Sequence, residues 1–210
     1  MTPCLATVVP SPAWTRIVVF LAAGIWLLLA LVLGVPVDQA WLRYLGAVAA
    51  VAVILILAFD LFAWRWLPYW LVKRPMLRGT WKARLRSSWL DSDGHQVEKT
   101  CYIVIDQTFS KVSIAMIFDI SDSTSVAADI VSEGSRPILS CTYRSSAHAL
   151  SQSDNPPHRG ALSLYVAMSS RVSLEGDYWT ERKTTGRIAT VGRSKKLAGS
   201  HKEAEALSFH

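Results

Sequence analysis

The sequence predicts two transmembrane α-helices followed by an all-β domain, an eight-stranded antiparallel up-and-down β-barrel. Two long apolar runs confined to the first third predict the helices. A switch after Pro75 to apolar and polar residues in alternation, broken by turn residues roughly every ten to fifteen positions, predicts the strands.

Residues 1–15 form a short N-terminal tail, and 16–66 form the helical hairpin. From 17 to 37 there are 21 residues without a charge, enough to cross about 30 Å of hydrocarbon as a helix. A cleavable signal peptide is the rival reading, but its apolar core is usually shorter, and Pro36-Val37-Asp38 is a poor small-residue cleavage site. Arg43 and Asp60 bracket a second run, 44–59, which 61–64 extend to spanning length with Asp60 near the interface. The link VDQAWLR is too short for a domain, so both chain ends lie on one side. Arg16 precedes the hairpin and Arg65, Lys73, Arg74 and Arg78 follow it, which puts both ends in the cytoplasm. Trp64, Trp66, Tyr69 and Trp70 read as an interfacial aromatic anchor. Gly46 and Ala50 form a small-xxx-small pair that lets helices approach closely.

Residues 67–78 form a basic linker and 79–192 the barrel. Only Arg16 and Arg43 of the 22 Lys and Arg, and only Asp38 and Asp60 of the 16 Asp and Glu, precede residue 65, so the net charge of +6 resides beyond it. That part of the chain favours anions, nucleotide or lipid headgroup. In 80–90, Trp81, Ala83, Leu85 and Trp89 share one face, with Lys82, Arg84 and Arg86 on the other. Further strands follow at 97–107, 111–120, 123–131, 138–145, 160–170, 171–182 and 184–192. Eight antiparallel strands with short links close into a barrel and abolish sheet edges. A two-sheet sandwich would use the same strands. The tail, 193–210, reads as unpacked and disordered.

A barrel of this size has room inside for side chains or for one small ligand. Polar residues in phase with the core are therefore informative. Gln107 follows Ile103 and Ile105, while Thr180 and Arg182 follow Val172, Leu174, Gly176 and Tyr178, unless a bulge at Gly176 flips the register. An inward guanidinium needs an acid, water or an anionic ligand, and an Arg182 beyond the rim is simply solvated; the residues alone leave both readings open. His95, His148, His158, His201 and His210 are scattered without metal-ligand spacing, and no glycine-rich phosphate loop opens a helix, so neither metal, cofactor nor enzymatic activity is expected. HRG at 158–160 offers polar groups at a barrel mouth or a solvated loop end. Cys4, Cys101 and Cys141 read as reduced packing residues.

The order of elements, with GTW at 79–81, DQTFSKVSIAM at 106–116, SDSTSVA at 121–127, TYR at 142–144, HRGALSL at 158–164 and LEGDYWTERKTTGRI at 174–188, resembles the two-transmembrane, β-strand-rich effectors of bacterial CBASS anti-phage systems. The G-x-Y-x-x-x-R-x-x-x-G spacing in the last segment is the most specific part. The resemblance implies a barrel that binds a cyclic dinucleotide rather than a DNA or RNA polymer, and a helix pair among inner-membrane lipids. It also implies assembly into homo-oligomers that disrupt that membrane and kill the infected cell. It places Arg182, Thr184 and Thr185 near the phosphates, Tyr143 and Tyr178 against bases, and Gln107 at a base edge; Tyr143 shares parity with Leu139 and Cys141, and Thr142 and Arg144 compete for its place. Trp81 becomes a barrel plug, and Gly176 and Gly186 serve backbone geometry. The alternative is a membrane-anchored module that holds a lipid or other apolar small molecule.

Overall fold

The computed structural model describes residues 20, 23–25, 51–90, 93–133, 136–153, 155–169 and 171–210. The chain divides into two compact units, 1–67 and 68–210. In the first, residues 51–61 are helical and Ala63–Trp66 add a 3-10 turn. Val51, Ile54, Leu55 and Leu57 stand exposed on that helix. Among the described residues no helix is long and apolar enough to cross a membrane. The first expected span, 17–37, is described only at 20 and 23–25, and the second, 44–64, only from 51 onward, so most of the hairpin lies outside the described residues.

The second unit is built on eight strands: β1 (Gly79–Leu90), β2 (Gln96–Gln107), β3 (Val112–Ile117), β4 (Ser121–Glu133), β5 (Arg136–Ala147), β6 (His158–Met168), β7 (Val172–Thr180) and β8 (Thr185–Ser194). Each pairs antiparallel with the next, and β8 returns to β1 through pairs such as Trp81 with Arg193 and Leu85 with Ile188, closing the barrel. This is the up-and-down order, and the sandwich is excluded. Alternation makes it work: most strands carry one apolar face, and closure buries that face while removing both edges; β4 adds the buried Ser121 and Ser123 to it.

The register through Gly176 is unbroken on both sides, so no bulge reverses β7. Gly176 is required for another reason: a Cβ there would strike the Ser163 carbonyl on β6. Bulges occur instead in β4, where Val126 is left unpaired, and in β8, opposite Lys82 and Ala83. Trp89 leaves the inward phase, because β1 and β2 lose register between Arg86 and Leu90, and it is 56% exposed.

The lumen is full. Trp81, Ile103, Ile105, Leu139, Leu162, Leu164, Leu174 and Ile188 are all fully buried in one cluster running through the barrel. Each large side chain contributes about 1.5–3 kcal/mol on burial. Where the sequence left the interior to side chains or to a ligand, the volume of these Leu, Ile and Trp residues decides for side chains. Cys101 and Cys141 belong to the same core, and burial pushes both thiols up to about 12.

At the proximal end of the barrel, where β1 starts and β2 and β8 finish, Trp81 is the expected plug. Its Nε1 donates to the Leu77 carbonyl at 2.9 Å. The guanidinium of Arg193 lies 4.9 Å from the Trp81 ring centroid and donates to the Arg78 carbonyl at 2.7 Å. Burial lowers the pKa of Arg193.

The tail departs from expectation. β8 continues to Ser194, and the last residues form a helix, His201–Glu205, against the outside of the barrel. Ser200 caps it by accepting from the Glu203 backbone N–H, while the Glu203 carboxylate accepts from Gly199, a capping-box arrangement. Thr80 is the hinge pin: its hydroxyl donates to the Lys196 carbonyl and accepts from the Ala198 N–H. Ala198 and Ala204 are buried against Tyr102, Val104 and Ile117, and Phe209 stacks on Tyr102 at 5.8 Å. His210 exchanges two backbone hydrogen bonds with Arg193. The strands β2 and β3 carry apolar residues on their outer face as well, and the tail covers them.

Candidate functional site

The distal end of the barrel, where β5 and β7 finish and β6 and β8 start, gathers five of the six residues expected at a ligand. Arg182 sits in the β7–β8 turn, half-buried, donating from Nη1 to Asn155 Oδ1 at 2.8 Å, with its Cζ 5.9 Å from the Trp89 ring centroid. It is thus neither sealed in the lumen nor loose in solvent. It bridges the β5–β6 connection to the end of β1 and fixes the lip of the barrel between them.

Thr184 closes the same turn. Its hydroxyl lies 2.6 Å from that of Thr180, and its carbonyl accepts from the Thr180 N–H at 2.9 Å. Lys183 takes the left-handed conformation that this tight turn requires (φ 60). Thr185 is exposed, pairs with Trp179 and donates its N–H to Ser88 Oγ at 3.0 Å.

Tyr143 and Tyr178 form the top layer of the core, only 5% and 7% exposed. The Tyr143 ring and hydroxyl lie over Gly160, and the Tyr178 ring lies over Gly186, its cross-strand partner. Burial raises the pKa of both phenols; at Tyr143 the neighbouring Tyr178 adds to the rise, and at Tyr178 a hydrogen bond with Ser87 opposes it. Both stay neutral and hydrogen-bonding at physiological pH.

Gln107 does not join them. It lies at the proximal end, 1% exposed, where Oε1 accepts from the Leu77 N–H at 2.8 Å and Nε2 donates to the Pro75 carbonyl at 2.9 Å. Its amide, expected at a base edge, satisfies the backbone of the segment leading into β1.

Two concavities open on the distal outer wall, on either side of Trp179, which is 50% exposed. One, of about 510 Å³, is lined by Arg86, Ser88, Asp177, Thr185 and Arg187. Its arginines are already paired, Arg86 with Glu98 at 3.2 Å and Arg187 with Glu175 at 2.6 Å. The other, of about 650 Å³, is lined by Thr142, Tyr143, Arg144, Arg159, Gly160 and Glu181. Both are large enough for a small organic ligand.

The inward-looking sequence argument passed over Trp179, because its phase assigns it to solvent, and reached Arg159 only within HRG and Arg144 only as a competitor of Tyr143 within TYR. An aromatic residue on that phase beside two arginines is the signal that marks them. HRG at 158–160 does stand at the mouth, with His158 Nδ1 3.1 Å from the Pro156 carbonyl. Among the described residues no three His, Cys, Asp or Glu side chains gather as for a metal ion.

Comparison with known proteins agrees with this barrel. Residues 72–191 match the family model described as Cap15, cyclic dinucleotide receptor domain. The chain is also 30% identical over 175 residues to CD-NTase-associated protein 15 of Staphylococcus schleiferi, covering 82% of this chain and 90% of that protein. The chain therefore belongs to the Cap15 family, the CBASS effector family whose resemblance its motifs carry.

Proposed function

We propose that this protein is a membrane-tethered receptor and effector that binds a cyclic dinucleotide on its distal rim, assembles, and permeabilises the bacterial inner membrane. The observation that carries the reading is the joint one of a receptor-domain match over the barrel and a rim that concentrates Arg182, Arg144, Arg159, Trp89 and Trp179 above a filled lumen. A doubly anionic ligand with two ring systems needs cations and aromatic faces. The rim supplies both, and the ligand docks from outside the barrel. In this reading Arg182 gives a fixed cation at the lip, Thr185 offers its hydroxyl outward, and Thr184 holds the turn. Tyr143 and Tyr178 support the floor.

The apolar segments before residue 65 anchor the protein, and the exposed Trp66 and Trp70 sit at the membrane interface, with both chain ends cytoplasmic. The alternative, a membrane-anchored module for a lipid or other apolar small molecule, is the weaker reading because apolar side chains pack together inside the barrel.

The test is vesicles of bacterial inner-membrane lipid carrying the full-length protein and a trapped dye, challenged with each member of a cyclic dinucleotide panel. Release with one member, together with a ligand-dependent rise in light-scattering mass, is expected. Binding without release overturns the effector half, and an absence of binding to every member overturns the receptor half.

A further inference from the structure

The larger distal concavity has a charge arrangement that folding does not explain. Arg144 on β5 and Arg159 on β6 are direct cross-strand partners, both outward and both exposed. Like charges placed opposite one another destabilise a sheet. Arg78, Arg86 and Arg187 each hold a carboxylate within 4.0 Å, whereas neither Arg144 nor Arg159 has an ion-pair partner among the described residues. The acid that lines the same concavity, Glu181, is tied to the backbone: its Oε1 accepts from the Arg159 N–H at 2.8 Å, and its own N–H donates to the Arg159 carbonyl.

Next to this pair the wall is shaped for a flat ring. Trp179 is the outward residue of β7 paired with Ala161, and Ala161 pairs in turn with Thr142 on β5. Small side chains therefore flank the indole and leave its face open. Tyr143, packed over bare Gly160, lies in the floor of the same groove, and Val126, thrown out by the β4 bulge and 75% exposed, forms the opposite wall.

We propose that this groove is the subsite for one phosphate-linked nucleoside of the cyclic dinucleotide, with the base stacked on Trp179 and the phosphate held between Arg144 and Arg159. The assignment rests on the receptor reading and moves the ligand's main contacts from the barrel interior to its outer wall. The anion neutralises the repulsion between the guanidiniums, each of which presents a planar fork suited to phosphate oxygens. Stacking on an indole tolerates any base, so this subsite supplies affinity and leaves base identity to be read elsewhere.

The experiment is calorimetric titration of the full-length protein in detergent micelles with a cyclic dinucleotide panel. Wild type is compared with Trp179→Ala, Trp179→Phe, the double variant Arg144→Gln with Arg159→Gln, and Arg171→Ala, an exposed arginine in the β6–β7 turn. A thermal melt of each variant checks the fold, which these exposed positions leave intact. Trp179→Ala and the double arginine variant are expected to weaken binding about tenfold or more, with Trp179→Phe intermediate and Arg171→Ala close to wild type. Wild-type binding that all the groove substitutions leave unchanged overturns the groove and spares the receptor reading. A wild type that binds no member of the panel overturns the receptor reading and the groove with it.

Discussion

Tyr178 lies with its ring across the bare backbone of Gly186, its cross-strand partner on β8. The contact explains two residues of the G-x-Y-x-x-x-R-x-x-x-G segment at once. The aromatic ring covers the hole that the glycine leaves, and the glycine makes the only backbone flat enough to receive it. Gly160 and Tyr143 repeat the arrangement on the adjoining pair of strands, β5 and β6.

Gly186→Ala is therefore expected to destabilise the barrel. The new methyl meets both the Tyr178 ring and the Arg86 carbonyl, and overfilling of this kind costs about 1–3 kcal/mol. A fall in melting temperature of several degrees is the expected readout, and an unchanged melt contradicts the close approach.

Gln107→Ala separates fold from binding. It leaves the Leu77 N–H and the Pro75 carbonyl without partners in a buried place, a loss of about 2 kcal/mol. Denaturant unfolding should register that loss, while cyclic dinucleotide affinity, measured well below the transition, stays at the wild-type value.

Removing residues 197–210 uncovers Tyr102, Val104 and Ile117 on the outer wall. At least about 2 kcal/mol of burial disappears with Phe209 and its neighbours. The truncated protein is expected to melt earlier and to bind a hydrophobic dye that the intact one ignores.

The core thiols set a pH limit. Cys101 and Cys141 are raised in the fold from about 9 to about 12, so the folded state favours the neutral thiol. Their contribution is fully present below pH 9 and is lost as pH rises from there toward 12. The buried Tyr143 and Tyr178 act in the same direction. The denaturant midpoint should thus fall on the alkaline side, and thiol-alkylating reagents should react with Cys101 and Cys141 only when the barrel unfolds.

The strands were legible because each has a buried and an exposed face, and that contrast is local. All eight appear in the alternation, from TWKARLRSSWL to TTGRIATVG. Parity also placed Tyr178 and Gln107 inward, correctly, and left Tyr143 in competition with Thr142 and Arg144. It did not show that the lumen holds nothing else, since filling depends on the summed volume of side chains from all eight strands. Nor could it show that Gln107 and Arg182 occupy opposite ends, although counting strand directions along an up-and-down chain would have done so. The pairing of Arg144 with Arg159 depends on the register between two strands joined by a long connection, which no local pattern fixes. The tail was a failure of a different kind: SHKE at 200–203 is a helix-capping signature, hidden among residues whose polarity suggested disorder.

Although β8 returns to β1, β3 pairs with β4 only at Ala115, Met116 and Ile117, and β4 from Ala127 to Glu133 is laddered on its β5 side alone. Closure thus removes the edges of most strands, and that stretch of β4 is where the backbone of another chain has room to add.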